Sequence, residues 1–427
     1  MLKKLAGILF ITSLFSCHSP TPAIVDVSYI DSLITNYQTV KTVDNNLDFW
    51  EKRMDSLPDN FVNGPEYASA LIAGFRQHGD IRDLNKADSL MHQSNMANQE
   101  KEPGIWRSLA GLAMLRHQFL IANDCLNKAK LIEGNSFPNA FLEFDILFER
   151  GNYYKAKAFL TSLKAGNEYG YLFRRSKYEH YDGSLDSSIA CMSRAGEKAG
   201  NNIYLKQAAF SNTADLYIHK GDLEKAYEFY IKSIKTGHPD LHSITGLGWI
   251  ALVHDRNDSL AERIFQFVHQ QTKAPDILFK LSQLEEAKGD TPKQKKYAEE
   301  FVTIVSDSLY GRMYNKYLID LYTGVLQTPA KAVALAEAEI NDRPNPQVYA
   351  WYAWSLFCNK EDEKAWNIYK AFVSGKPLEG PELYYMGKMM EGMKKGYNAK
   401  EFFKAASKNI YDLDPAKQED LRKTLDL

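Results

Sequence analysis

Asp215 and His219 stand four residues apart in a run whose apolar residues recur at helical spacing, so their side chains share one helix face, one turn apart. A carboxylate and an imidazole placed that way suit two kinds of chemistry. One is a divalent cation held by His219, Asp215 and a neighbouring carboxylate; the other is charge pairing on a solvated helix face. His238 and His242, in "HPDLH", straddle a proline-containing turn and read as loop polarity. Cys125, Cys191 and Cys358 are far apart and form no CxxC, so they suggest neither a zinc site nor a disulfide framework and read as buried small apolar residues. The chain has no GxSxG, no HExxH and no glycine-rich phosphate loop after a strand. A non-enzymatic chain without cofactor is therefore expected, and no metal site is assigned.

One more thiol, Cys17, closes an apolar run. Met1 to Lys4 make a basic head, and Leu5 to Phe15 carry no charge, which are the proportions of a signal peptide. The run is shorter than the roughly 20 apolar residues that span a bilayer. Leu14-Phe15-Ser16-Cys17 resembles the bacterial lipobox, in which a small residue precedes a cysteine that is lipidated before the signal is cut away. The resemblance implies a lipoprotein signal peptide over 1–16 and a mature chain starting at Cys17, its lipidation site, with palmitate-like acyl chains. More than one chain makes such attachment effectively stable. An ordinary secretory signal with an incidental cysteine is the alternative. Residues 17–28, with Pro20 and Pro22, read as a tether.

The 427 residues are 44% apolar, 12% aromatic and 25% charged, which supplies ample material for a core and argues against disorder. Loss of Lys3 and Lys4 with the signal leaves 50 basic against 54 acidic side chains. A nearly neutral chain without a basic cluster is a poor nucleic-acid binder. Length alone suggests about three domains, but an internal repeat overrides that estimate.

Residues 208–240 show the repeat best. A first amphipathic run carries Phe210, Thr213, Ala214 and Tyr217; Gly221-Asp222 breaks it; a second carries Ala226, Tyr230, Ser233 and Ile234; Pro239 ends it. Spacings of three and four give each run one buried face, and the breakers make the unit a helical hairpin. Small residues sit where two helices cross, and bulky ones fill the flanks. Steps of 34 to 36 residues back reach Tyr178, Tyr181 and Ala190, then Phe144, Leu147, Gly151, Ala156 and Leu160, then Trp106, Leu109, Ala110, Ala122, Leu126 and Ala129. Forward copies carry Leu247, Gly248, Ala251, Ala261 and Phe265, then a looser "LSQLEEAKGD" before Ala298 and Phe301, and three more through Met386 and Phe403. With an early copy at Leu71 to Met91, ten units cover 65–412. Stacked hairpins share a core that one alone cannot make.

This order of residue sizes resembles the tetratricopeptide repeat (TPR) family. The resemblance implies an all-α superhelical solenoid of about ten TPR-like hairpins, with a concave groove lined by the first helix of each. Residues 29–60 read as two N-terminal capping helices, and 413–427 as a C-terminal capping helix opened by Asp414-Pro415. Carrying over the family's groove positions gives Asp145, Glu179 and Asp215 in successive repeats, with Glu149, His219 and Asp182 beside them and Arg107 and Arg175 near the helix starts. Trp249 and Trp354 fall at the same groove position, open to a binding role or to packing between repeats. The strip is locally acidic and suits a cationic partner segment. It equally suits a solvated face with pairs such as Arg175 to Asp145. It departs from the family's carboxylate clamp, so a peptide C-terminus is not the expected ligand.

The expected function is a membrane-anchored TPR scaffold that mediates protein–protein interaction in the cell envelope. It would be lipid-anchored at an outer membrane and periplasm-facing, because no acidic residues follow Cys17 in His18 to Pro22. The expected partner is a protein or peptide, with no nucleic acid and no small-molecule substrate. The alternatives are a glycan-binding nutrient-uptake lipoprotein of the starch-uptake D-type, or an outer-membrane assembly factor. The former family needs long loop insertions with sugar-stacking aromatics, and this chain is nearly all repeat.

Overall fold

A computed structural model describes residues 22–37, 41–57, 62–163, 166–237, 240–394 and 399–426. Cys17 and the signal segment lie outside them, as does His238. Among the described residues there are 23 α-helices and no strand, and no helix is long and apolar enough to cross a membrane.

Two helices lead in, α1 (Val27–Thr35) and α2 (Lys41–Ser56). Ten hairpins follow, matching the repeat count. They are α3 (Asn63–His78) with α4 (Ile81–Ala97), α5 (Pro103–Leu115) with α6 (Phe119–Glu133), α7 (Phe137–Glu149) with α8 (Tyr153–Ser162), α9 (Tyr169–Tyr181) with α10 (Leu185–Lys198), and α11 (Ile203–Lys220) with α12 (Leu223–Thr236). The second five are α13 (Leu241–Val253) with α14 (Asp258–Gln271), α15 (Asp276–Ala287) with α16 (Thr291–Val305), α17 (Asn315–Thr323) with α18 (Pro329–Asp342), α19 (Pro346–Cys358) with α20 (Asp362–Ile368), and α21 (Gly380–Gly392) with α22 (Ala399–Ser407). A turn of π-helix over Tyr369–Val373 extends α20, and α23 (Pro415–Leu425) closes the chain.

The spacing of small and bulky residues explains the hairpins. Ala214 and Ala226 are fully buried where α11 crosses α12, and Phe210 and Tyr230 pack beside them. At the matching place in the next hairpin, a Cβ on Gly248 would stand 2.6 Å from the Phe265 ring, so only glycine lets that ring lie against the helix. Gly221 turns the chain between α11 and α12 at φ +83°, where a side chain would be strained. Asp222 then caps α12 by accepting from the Lys225 N–H at 3.2 Å.

Successive turns of the coil touch. The Lys273 ammonium pairs with Asp80 at 2.8 Å across 193 residues, Arg343 with Glu149 at 3.1 Å across 194, and His219 with Asp412 at 2.6 Å across 193. Between them, the Arg312 N–H donates to the Arg116 carbonyl at 3.2 Å, and His180 faces Glu379 at 3.9 Å. The first hairpin thus meets the entrance of the seventh, the second that of the eighth, the third that of the ninth and the fourth that of the tenth. Six hairpins complete one turn, and a polar seam joins it to the next.

The two ends differ in placement. Tyr67 of α3 and Lys86 of α4 reach Glu51 of α2 at 2.8 and 3.0 Å, so α2 covers the first hairpin. By contrast, α1 lies far along the coil: Asp31 pairs with Arg263 at 2.9 Å, Tyr37 packs on Phe267, and both Asp255 carboxylate oxygens accept main-chain N–H groups, from Ile24 and Val25, at 2.9 Å. Its buried Ile30, with Val25 just before the helix, gives the physical reason, because both join the apolar core that α12 to α14 share. At the other end, α23 is capped by Asp414, whose side chain accepts from the Lys417 N–H at 2.9 Å. It returns across the coil, and Gln418 accepts from Arg256 at 3.0 Å.

Candidate functional site: the axial chamber

The first helices of hairpins four to eight turn their inner faces toward a cavity of about 1060 Å³ on the coil axis. α9 supplies His180, α11 supplies Asp215 and His219, α13 supplies His242 and Trp249, α15 supplies Asp276 and Lys280, and α17 supplies Lys316 and Tyr317. The end of α3, together with Glu379 and Asp412 from the seam, completes the wall.

Three carboxylates on this wall are engaged within the chain. Asp215 accepts from the Tyr230 hydroxyl at 2.6 Å and meets His242 Nε2 at 2.9 Å. Burial alone would raise the Asp215 carboxyl, but His242 and Tyr230 hold it below its usual range. Asp215 in turn pushes the His242 imidazole up to about 9 against the cost of burial, so the pair is ionic at neutral pH. Both remain open to the cavity, with side-chain exposures of 42% and 58%. Asp276 accepts from the Tyr314 hydroxyl at 3.0 Å, and burial raises its carboxyl. Asp412 takes His219, which burial would lower but which Asp412 raises. His180 packs edge-on against the His219 ring at 4.6 Å and is lowered by burial.

Asp215 and His219 thus share a helix face and the chamber, yet each reaches a different partner. Among the described residues no three His, Cys, Asp or Glu side chains gather as a metal-binding set. Trp249 joins them on the wall. Its ring is 7% exposed, its Nε1 donates to the Tyr411 carbonyl at 2.8 Å, and the Lys280 ammonium covers its face 3.4 Å from the centroid.

The other strip residues line no part of the chamber. Asp145 pairs with Arg174 at 2.5 Å rather than with Arg175, and burial raises its carboxyl. Arg175 instead reaches Glu179 along its own helix at 3.2 Å. The reason is angular: on α9 Arg174 faces α7, while the next residue is turned about 100° away. Glu149 pairs with Lys177 at 2.5 Å and with Arg343 in the seam; burial would raise it, but the two cations hold it at about 2. Arg107 pairs with Glu133. Asp182 is the exposed C-cap of α9. Trp354 stacks on Tyr385 with centroids 5.0 Å apart and donates to Thr323 at 3.1 Å, so it packs between hairpins. Cys125 is buried, and Cys191 and Cys358 are half-buried.

His242, Asp276, Lys280 and Lys316 are chamber residues that the groove positions did not include. His242 opens α13 directly after the turn, so its side chain reaches across to α11. A charged residue on the apolar face of a first helix, such as Lys280 between Ile277 and Leu281, is the signal that marks such a wall.

No protein-family model matches the chain, and no curated protein matches it. Among solved structures, it is similar to the Cut9–Hcn1 hetero-tetramer of the APC/C, with TM-score 0.49, 14% identity and coverage of 89% of this chain and 69% of that one. A tetratricopeptide repeat protein from Parabacteroides merdae shares 14% identity at TM-score 0.35, over 61% of this chain and all of that one. Human IFIT1, solved with m7Gppp-AAAA, shares 13% identity at TM-score 0.39, over 75% of this chain and 82% of that one. The fold assignment rests on the hairpins themselves: an all-α superhelical repeat of ten TPR-like units.

Proposed function

We propose that the chain is a non-catalytic binding module, held at a bacterial outer membrane by a lipidated Cys17 and facing the periplasm, whose axial chamber seats a segment of a protein partner. The chamber carries this reading. At about 1060 Å³ it stands at the upper edge of the roughly 300–1,000 Å³ of small-molecule pockets, and five consecutive first helices present side chains to it. Its acid–base pairs tie helix to helix, as Asp215 of α11 does with His242 of α13, which is a positioning role. The wall aromatics are engaged as well. Lys280 covers the face of Trp249, so that ring is closed to a stacking sugar. The lipid anchor rests on the basic head, the apolar run and Ser16-Cys17.

A photocrosslinking residue at Tyr317, on the chamber wall, is compared in intact cells with one at Leu131, which is exposed on the outer side of α6. We expect a protein adduct from position 317 that is absent from 131, and release of the chain from membranes in Cys17→Ser. Equal adducts at both positions, or none from 317, contradict the chamber as the binding site. Membrane retention of Cys17→Ser contradicts the anchor.

A further inference from the structure

Lys280 lines the chamber without an ion-pair partner among the described residues. The carboxylates nearest it bond elsewhere: Asp215 with Tyr230 and His242, Asp276 with the neutral Tyr314 hydroxyl, and Asp414 with Lys417 at 2.5 Å together with the Lys417 N–H at 2.9 Å. The neighbouring cation, Lys316, has Glu382 at 3.5 Å. Among the described residues no carboxylate reaches ion-pair distance of Lys280. Its ammonium is placed by the Trp249 ring beneath it, and that ring is itself fixed through its hydrogen bond to Tyr411. The indole face fixes the position of the cation but supplies no counter-charge.

Lys280 and Lys316 lie on the first helices of adjacent hairpins and both line the cavity. We propose that the chamber holds an oxyanion, a carboxylate or phosphate on its occupant, which pairs with the Lys280 ammonium above Trp249 with Lys316 alongside. This rests on the reading of the chamber as the binding site and gives the occupant its charge. Asp145, Glu149, Glu179 and Asp215 of the acidic strip read from the sequence each pair with a cation inside the fold, which leaves Lys280 as a cation open to a ligand. Without a ligand, burial lowers Lys280 to about 8, with Asp414 opposing and Lys316 reinforcing the shift. At pH 8 a larger share of this amine is therefore unprotonated than in an ordinary lysine.

The test exposes the full chain at pH 8 to reductive methylation, with Lys280 read by mass spectrometry. The probes are citrate, inorganic phosphate and an acetylated hexaglutamate peptide, with acetylated hexalysine as counter-probe. We expect Lys280 to be methylated early in the free chain, and at least one oxyanion probe to slow it fivefold or more while hexalysine does not. Citrate or phosphate alone points to a small-molecule oxyanion, and hexaglutamate alone to an acidic segment. Lys280→Gln should weaken the effective probe at least tenfold, as followed by tryptophan fluorescence, while Lys280→Arg stays within about threefold, as expected for the loss or retention of a charge-assisted contact. Equal methylation with and without every oxyanion probe overturns the inference, as does an unaltered affinity in Lys280→Gln. The methylation arm uses the unaltered chain and so stands even where a variant folds poorly. Photocrosslinking from Tyr317 separates the two claims. An adduct without oxyanion protection leaves the chamber as a binding site and removes the anion; no adduct removes the chamber itself.

Discussion

Replacing Asp342 by alanine will lower the unfolding free energy by about 3–5 kcal/mol, the range for breaking one side of a buried charged contact. Asp342 is 3% exposed and ends α18. Its carboxylate accepts the N–H groups of Phe119 and Leu120 at 2.9 and 2.6 Å and stands 3.3 Å from Arg312. Those two N–H groups open α6, whose own preceding residue, Gln118, makes no side-chain cap. The start of one helix is therefore capped from the next turn of the coil, where a negative charge also suits the helix dipole. Alanine leaves one buried and one part-buried donor and a guanidinium without their acceptor. Asp342→Asn, which keeps one acceptor oxygen, should lose less than alanine. Urea unfolding followed by circular dichroism measures both, and a loss below 1 kcal/mol for alanine would show that the seam contributes little.

Phe265→Ala is expected to cost about 3–5 kcal/mol, the usual range for emptying a buried aromatic site. Phe265 is 0% exposed and fills the space that Gly248 leaves on the facing helix. Its hairpin is the sixth of ten, so the lesion falls in the middle of the array. In an open solenoid, where repeats contact only their neighbours, a central weak point tends to split unfolding into separate steps. Here the first hairpin is tied to the seventh and the fifth to the segment after the tenth, bridging the damaged unit on both sides. The variant should keep a single transition at lower denaturant. Two resolved transitions would mean that the turns do not act as one body.

The hairpins were legible because their determinants are local. Ala214, Ala226 and Tyr230 are buried where the repeat spacing put them, and Gly221-Asp222 turns and caps where the breakers fell. The seam was not legible. Its partners stand 193 to 223 residues apart and are ordinary residues at helix ends, such as Glu149 and Arg343, which carry no periodic mark. The chamber was half legible. Asp215, His219 and Trp249 were placed on the inner face, but their partners come from short segments next to turns: His242 after a proline-containing stretch, and Tyr411 and Asp412 from the return beyond the tenth hairpin. Lys280 escaped because its hairpin fits the repeat most loosely. The free cation therefore depended on side-chain pairings that no repeat position marks. The placement of α1 escaped for the same reason: its apolar residues read as a cap, and nothing local says which surface they complete.

Closure of the coil by its seam is the central claim, and zero-length carbodiimide crosslinking of the full chain tests it most directly. Lys273 and Asp80 lie 2.8 Å apart across the seam, and Lys130 and Glu143 lie 2.6 Å apart between adjacent hairpins, where any coiling of the repeats would join them. The closed coil predicts that monomeric protein yields both linkages, read as joined peptides by mass spectrometry. Recovery of the Lys130–Glu143 linkage without the Lys273–Asp80 linkage would contradict it.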